Sequence, residues 1–240
     1  MTIVLGTLYG ISVGTGDPEL ITLKGLRILK QSPVVAFPAG VHGKAGMAQT
    51  IVEQWLGSGQ VQLALTFPYV QDLGILSQAW IAAAEQVWDY LGSGQDVAFA
   101  CEGDVSFYST FTYLATVLQE LHPECVVQRV PGVCSPLAAA SALGMPLTVR
   151  DQRLVVLPAI YNVGELETIL GWADVVVLMK VSSVYSEVWK VLQQHKLLNQ
   201  AFVVERATLP EQVIYADLCD RPNLKLPYFS LLIVKVTQRK

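Results

Sequence analysis

The residues near the start of the chain that could do chemistry are glycines and acids, in Gly14-Thr15-Gly16-Asp17-Pro18-Glu19. Glycine at 14 and 16 lets the backbone turn sharply and come close to a bound molecule. Asp17 and Glu19 place negative charge where a following helix begins, which complements the positive end of its dipole. A diphosphate needs that helix end empty and positive, so an acidic turn repels it. A neutral or cationic ligand is acceptable there. The spacing agrees: Gly10, Gly14 and Gly16 read G-x-x-x-G-x-G, which is neither the G-x-G-x-x-G of dinucleotide folds nor G-x-x-x-x-G-K-[ST]. A tight turn without a ligand is the alternative for such glycines.

A second small, polar and acidic stretch follows the apolar run Asp96 to Cys101: Glu102-Gly103-Asp104-Val105-Ser106-Phe107-Tyr108-Ser109-Thr110. Asp104 or Ser106 can cap the helix expected over Phe107 to Leu121, and one carboxylate has lone pairs enough for a cap and a ligand together. No Ser-His-Asp set and no activated cysteine is evident. The four cysteines, Cys101, Cys125, Cys134 and Cys219, lack C-x-x-C spacing, and His42, His122 and His195 are scattered. We therefore expect reduced core cysteines and no metal site.

Both turns need a strand before them and a helix after. Ile3-Val4-Leu5, Leu8-Tyr9 and Ile11 to Val13 predict the first buried strand. Leu20, Ile21, Leu23, Leu26, Ile28 and Leu29 give the first helix its apolar face, with Asp17 as N-cap and Pro18 at the first helical position. Strands are predicted at Pro33–Pro38, Val61–Leu65, Asp96–Cys101 and Cys125–Val130, with helices at Lys44–Leu56, Gly74–Leu91, Phe107–Leu121 and Leu137–Leu143. Phe67-Pro68-Tyr69 begins a loop. Further strands are predicted at Leu154–Leu157, Val175–Met179, Phe202–Val204, Val213–Leu218 and Tyr228–Val236, and helices at Gly164–Gly171 and Val184–His195. The last strands follow one another without helices between them, so the second half should be a mixed sheet. Open α/β sheets bind ligands outside the C-terminal ends of their strands, where both glycine turns would lie.

Composition bounds the answer from the other side. At 240 residues, with 52% apolar and 15% charged residues, the chain can bury strands on both faces. A net charge of -4 argues against nucleic acid as a partner. No apolar run approaches the ~18 residues of a membrane span. No basic flank precedes the first apolar run, so no signal peptide is expected and the compartment reads as cytoplasmic. The break at His122-Pro123-Glu124 divides the chain into an N-terminal α/β domain, 1–122, and a C-terminal α/β domain, 123–240.

Taken in order, these loops resemble the tetrapyrrole methylase family over nearly the whole chain. The marks are Gly14-Thr15-Gly16-Asp17-Pro18-Glu19-Leu20 with Thr22-Leu23-Lys24, Gly103-Asp104 with Phe107-Tyr108-Ser109-Thr110, Pro131-Gly132-Val133-Cys134-Ser135, and Val177-Leu178-Met179-Lys180. Phe107–Phe111, Glu205–Gln212 and Leu226–Val234 are most similar to the precorrin-2 C-20 methyltransferases of corrin synthesis. Thr15 departs from the proline of many members, and Val105 stands where Gly-Asp-Pro is commonest.

The resemblance implies a two-domain fold, an N-terminal parallel-rich sheet with glycine loops and a C-terminal mixed sheet. S-adenosylmethionine would lie in the cleft between the domains, usually in a homodimer. Carried over by position, its contacts would be Thr15, Glu102, Gly103, Asp104, Phe107, Cys134, Ser135, Met179 and Ala207. Phe37-Pro38 would line a substrate trough. The implied reaction is methyl transfer to C-20 of precorrin-2 or its cobalt-loaded relative in cobalamin synthesis. Another tetrapyrrole methylase, such as a uroporphyrinogen III C-methyltransferase, or a nucleotide-binding oxidoreductase is the alternative. A sulfonium cation without phosphate suits the acidic turns. A proton leaving the product would go to Asp104, the catalytic candidate, to Glu102 or to solvent. A macrocycle with a carboxylate rim needs cations, and Lys24, Arg27, Arg150, Arg153, Lys180 and Arg206 are available. Arg150 and Arg206 are the preferred pair, with Lys24 beside them; a solvated surface charge is the alternative for each.

Overall fold

The first strand runs through Thr7–Ser12 (β1) and is parallel to both neighbours, β4 (Val97–Cys101) and β5 (Val126–Val130). β2 (Val34–Pro38) and β3 (Val61–Leu65) extend the sheet in the order β3-β2-β4-β1-β5, every pairing parallel. This computed structural model describes residues 4–40, 44–68, 70, 72–158 and 163–236. Ile3, His42 and Tyr69 lie outside the described residues.

The apolar density of these strands has the expected consequence: side chains alternate across the sheet, and helices cover both faces. On one face Leu8, Val34, Ala36, Val97 and Phe99 pack with Ala83, Ala84, Val87 and Leu91 of α3 (Leu73–Leu91) and Phe111, Leu114, Ala115 and Leu118 of α4 (Thr110–Leu121). On the other, Ile11, Val35, Phe37, Ala98 and Ala100 meet Leu29 of α1 (Leu23–Gln31) and Ala48, Ile51 and Val52 of α2 (Met47–Val52).

Two helix starts differ from expectation. Asp17 caps a three-residue 3-10 turn, Pro18–Leu20, by accepting from the Glu19 N–H; α1 begins later, with Thr22 as its cap accepting from the Gly25 N–H. Leu23, assigned to the apolar face, is 88% exposed. Likewise α4 starts at Thr110, capped by Ser109, so neither Asp104 nor Ser106 is its N-cap. In both cases the better-placed hydroxyl satisfies the orphan N–H groups of the first turn.

The remaining chain forms a five-stranded sheet in the order β6-β7-β10-β8-β9. Its strands are β6 (Leu154–Leu157), β7 (Val175–Met179), β8 (Ala201–Glu205), β9 (Val213–Tyr215) and β10 (Ser230–Lys235). Only β6 and β7 pair in parallel; β10 runs antiparallel to β7 and β8, and β9 to β8. Leu166, Ile169 and Leu170 of α6 (Val163–Leu170) and Val188, Trp189 and Leu192 of α7 (Tyr185–Gln194) pack on Val176, Leu178, Val203, Leu232 and Val234. The Trp189 indole donates to the Leu218 carbonyl at 2.7 Å, so that large ring is buried without an orphan N–H.

The compact units are Met1–Cys134 and Ser135–Lys240, and α5 (Ser135–Ala142) opens the second. The division falls later than the break at His122-Pro123, because β5 completes the first sheet against β1. No described helix is long and apolar enough to cross a membrane. Among the described residues no group of three His, Cys, Asp or Glu side chains is placed to hold a metal ion.

Candidate functional site

At the C-terminal edge of the parallel sheet the two glycine turns are joined backbone to backbone. The Gly103 N–H donates to the Gly14 carbonyl at 2.6 Å, and the Gly14 N–H to the Gly103 carbonyl at 3.3 Å. Both glycines sit in the left-handed region, φ 80° at Gly14 and 72° at Gly103, which explains their identity. Their surroundings differ. A Cβ on Gly14 would meet Leu20 Cβ at 2.7 Å, whereas one on Gly103 would find nothing within 4 Å. Gly14 is glycine because of both its backbone conformation and packing within the turn. Gly103 presents bare backbone to open space.

Asp104, next in the chain, is buried and fully engaged. Its Oδ1 accepts from the Ser106 N–H at 2.8 Å and from the Ser106 hydroxyl; its Oδ2 accepts from the Gly132 N–H at 2.7 Å. Burial pushes the carboxyl up, but the hydrogen bonds from Ser106 and Gly132 outweigh it and hold the group below the usual carboxylate range. An anion stabilised in this way is a weak base. Its placement fits a tie between two turns better than a proton acceptor, because its lone pairs are already committed.

Ser12, the last residue of β1, completes the tie. Its hydroxyl donates to the Val130 carbonyl at 2.7 Å and accepts from the Val105 N–H at 3.0 Å; Asp104 Oδ2 is more distant, at 3.4 Å. With one proton to give, the hydroxyl commits it to the nearer carbonyl. Ser12 was not among the sequence candidates. The available signal was a hydroxyl in an otherwise apolar, fully buried strand, where a polar group must have partners.

The other candidates of the first unit stand around this edge. Thr15 follows Gly14 and is half-buried, as are Glu102 and Cys134. The Phe107 ring lies edge-on to Tyr108, centroids 4.8 Å apart, and the Phe107 N–H donates to the Asp104 carbonyl at 3.1 Å. Tyr108 is held at φ 52°, a left-handed conformation seldom adopted by an aromatic residue. Behind the loop, Cys101 Sγ lies 2.9 Å from Ser109 Oγ, and burial pushes its thiol up to about 12. Lys24 is exposed on α1.

In the second unit Met179 and Ala207 flank the start of β10. Met179 pairs with Leu231, Glu205 pairs with Ser230, and Ala207 follows two residues on, largely buried. Arg206 stands between Glu205 and Ala207 at φ 48°, its N–H donating to the Phe229 carbonyl at 2.7 Å. Arg150 is exposed in the segment before β6, with φ 52°. Ser135 is the first residue of α5. The structure thus brings Met179, Arg206 and Ala207 to one edge of their sheet, and Thr15, Glu102, Gly103, Asp104 and Phe107 to one edge of theirs; Lys24, at the start of α1, and Arg150 are exposed.

The first unit's edge fits an uncharged or cationic ligand approaching closely along the backbone at Gly103. Its carboxylates repel a phosphate, and the turn after Gly16 leads into a three-residue 3-10 turn rather than a long helix.

Residues 7–220 match the family model described as Tetrapyrrole (Corrin/Porphyrin) Methylases. Over 98% of its length the chain is 36% identical to the Cobalamin biosynthesis protein CobIJ of Mycobacterium tuberculosis; it spans about half that relative's length, 47%. It is 32% identical to a Precorrin-2 C(20)-methyltransferase of Sinorhizobium sp, covering 96% of this chain and 95% of that one. It is 33% identical to a Cobalt-precorrin-2 C(20)-methyltransferase of Salmonella typhimurium, covering 95% and 96%. Among solved structures, a cobalt precorrin-4 methyltransferase superposes with a TM-score of 0.73 at 22% identity, covering 95% of this chain and 94% of the other. A uroporphyrin-III C-methyl transferase from Thermus thermophilus, complexed with S-adenyl homocysteine, gives 0.66 at 20% identity, covering 96% and 98%. The two sheets, one parallel and one mixed, agree with the likeness to those solved structures, and by the match over residues 7–220 the chain belongs to the tetrapyrrole methylase family.

Proposed function

We propose that the chain transfers a methyl group from S-adenosylmethionine to C-20 of precorrin-2 or its cobalt-loaded form, in cobalamin synthesis. The observation that carries the reading is the Gly14–Gly103 backbone bridge, with open space beside Gly103 at the C-terminal edge of an all-parallel sheet. Support comes also from family membership and from two relatives named for C-20 methylation, one with cobalt in the name of its substrate and one without.

S-adenosylmethionine supplies an electrophilic methyl group on a sulfonium cation. The chain's own residues bind and orient. Gly103, whose N–H is spent on Gly14, offers its Cα and the second lone pair of its carbonyl at a point where no side chain intervenes. Thr15, Glu102, Phe107 and Cys134 are the first unit's further candidate contacts, and Ser135, Met179 and Ala207 those of the second. Glu102 adds negative charge, favourable beside a cation. Asp104, Ser12 and Gly132 keep the turns after β1, β4 and β5 in register. Holding reactants in line can supply up to ~7–11 kcal/mol of rate enhancement without an acid or base. Arg150, Arg206 and Lys24 remain the candidates for substrate carboxylates. A homodimer and the cytoplasm belong to the same reading.

The test is anaerobic turnover with S-adenosylmethionine and precorrin-2, metal-free and cobalt-loaded side by side, following methyl incorporation by mass and its position by NMR. Methylation at another ring carbon would replace this reading with another member of the family. Tight NAD or ATP binding without response to S-adenosylmethionine would remove it altogether.

A further inference from the structure

The edge of the second sheet carries a cluster that the cofactor candidates do not use. Lys180 directly follows β7 and Arg206 directly follows β8, while Tyr228 and Phe229 lead into β10, which lies between those two strands. Parallel-running β7 and β8 end here and antiparallel β10 begins here, so the four residues share one edge by topology. Tyr228 is 47% and Phe229 40% exposed, and their rings meet edge to face, centroids 5.2 Å apart and 83° between planes. The Lys180 ammonium stands 5.7 Å from the Tyr228 ring centroid. The Arg206 N–H donates to the Phe229 carbonyl at 2.7 Å, so the backbones of these two residues are joined at the same edge.

Two features set this cluster apart from ordinary surface. Lys180 and Arg206 both hold left-handed backbone, φ 53° and 48°, a conformation that costs energy for any residue with a Cβ and tends to collect at ligand sites. Among the described residues neither cation has a carboxylate at ion-pair distance. Two cations without a carboxylate partner and two half-exposed aromatic rings at one sheet edge, with Lys180 over the Tyr228 ring, present a definite chemistry. The rings offer faces and edges to a flat conjugated system, and the cations offer donors to carboxylates on its rim.

We propose that Lys180, Arg206, Tyr228 and Phe229 form a subsite for a flat conjugated ring bearing carboxylates, through which the second unit holds the macrocycle. This rests on the tetrapyrrole reading given above. Tyr228 contributes by its ring, so Phe should replace it and Ala should not. Lys180 contributes by charge, so Gln should weaken binding at low salt and matter less at high salt.

The probe is uroporphyrin, a flat tetrapyrrole with a carboxylate rim, titrated into the full chain and followed by its own fluorescence, with S-adenosylmethionine affinity measured by calorimetry in parallel. We expect Tyr228→Ala to weaken porphyrin binding about tenfold, in line with aromatic–base stacking losses. Tyr228→Phe should bind like wild type, Lys180→Gln should bind several-fold more weakly, and S-adenosylmethionine affinity should be unchanged in all three. Wild-type porphyrin affinity in both Tyr228→Ala and Lys180→Gln would overturn the subsite, as would no porphyrin binding by wild type. Loss of S-adenosylmethionine affinity with porphyrin binding intact would also overturn it, by moving the rings to the adenine. Wild type that binds porphyrin through these residues yet methylates no precorrin-2 would leave the subsite standing and remove the proposed reaction instead.

Discussion

Asp104 and Gly132, 28 positions apart, are joined by a single 2.7 Å hydrogen bond from the glycine N–H to the carboxylate. That bond links the turn after β4 to the turn after β5. The other oxygen is held by Ser106, so the carboxylate is an acceptor on both sides and its ionised form is the one that fits. Close packing on Ser12 explains why position 132 is glycine: a Cβ there would lie 2.5 Å from Ser12 Cβ.

The Asp104→Asn variant should therefore be less stable, in addition to binding S-adenosylmethionine more weakly. An amide keeps one acceptor oxygen and turns an NH2 toward a donor, either Gly132 or Ser106. The expected loss is about 1–3 kcal/mol, read from urea unfolding at pH 7. The folded-state carboxyl ionises below its ordinary value, so its contribution is complete above the unfolded value of ~3.9 and disappears as pH falls through the folded one. The stability gap between wild type and variant should stay constant from neutral pH down to about pH 5 and close below about pH 4. A gap that widens on acidification would contradict this account.

Gly103→Ala separates backbone strain from ligand exclusion. The new methyl meets no neighbour, so the cost to the unliganded protein is that of a left-handed alanine alone, about 1–2 kcal/mol. Cofactor affinity should fall much further, because the Cβ occupies the space beside the bare backbone. Calorimetry and thermal melting on the same preparation decide the matter; equal affinity in wild type and Gly103→Ala would show that no ligand approaches there.

Ser12→Ala removes a buried hydroxyl and leaves two partners unsatisfied, the Val130 carbonyl and the Val105 N–H. The expected destabilisation is about 1–3 kcal/mol. Because Val105 follows Asp104, hydrogen exchange should quicken in the loop 102–109 more than in β2 or β3. Uniform quickening across the first sheet would mean that Ser12 supports the whole sheet and not the turns.

Thiol labelling offers a cheap check on the loop's packing. Cys101 is buried behind Ser109 with its thiol raised to about 12, whereas Cys219 is exposed. At pH 8 the native protein should be alkylated at Cys219 and not at Cys101 until denaturant is added. Modification of Cys101 in the native state would mean that the Ser109 end of the loop opens.

Several features were legible in the residues alone. The strands Val61–Leu65, Leu154–Leu157 and Val175–Met179 are legible to the residue, because each is a short apolar-rich stretch set off by polar or turn residues. The mixed second sheet followed from strands such as β9 and β10 lacking a helix between them. Gly14 and Gly103 announced themselves because only glycine takes those φ values readily. Local sequence carries such information whenever the controlling interaction is local.

What the sequence could not reveal depended on partners distant in the chain. Asp104 looked like a helix cap or a ligand because both roles draw on its near neighbours; its bond to Gly132 exists only once β5 lies beside β1. Ser12 was silent for the same reason, its partners being 93 and 118 positions away. β5 itself joined the first unit rather than the second, since pairing with β1 outweighs a proline break in the chain. The strain at Lys180 and Arg206 was also invisible, because a lysine or arginine adopts left-handed backbone only when the surrounding structure enforces it. Residue types and spacing told which turns could face a ligand, and the pairing of distant strands decided which side chains hold those turns and which are left to meet it.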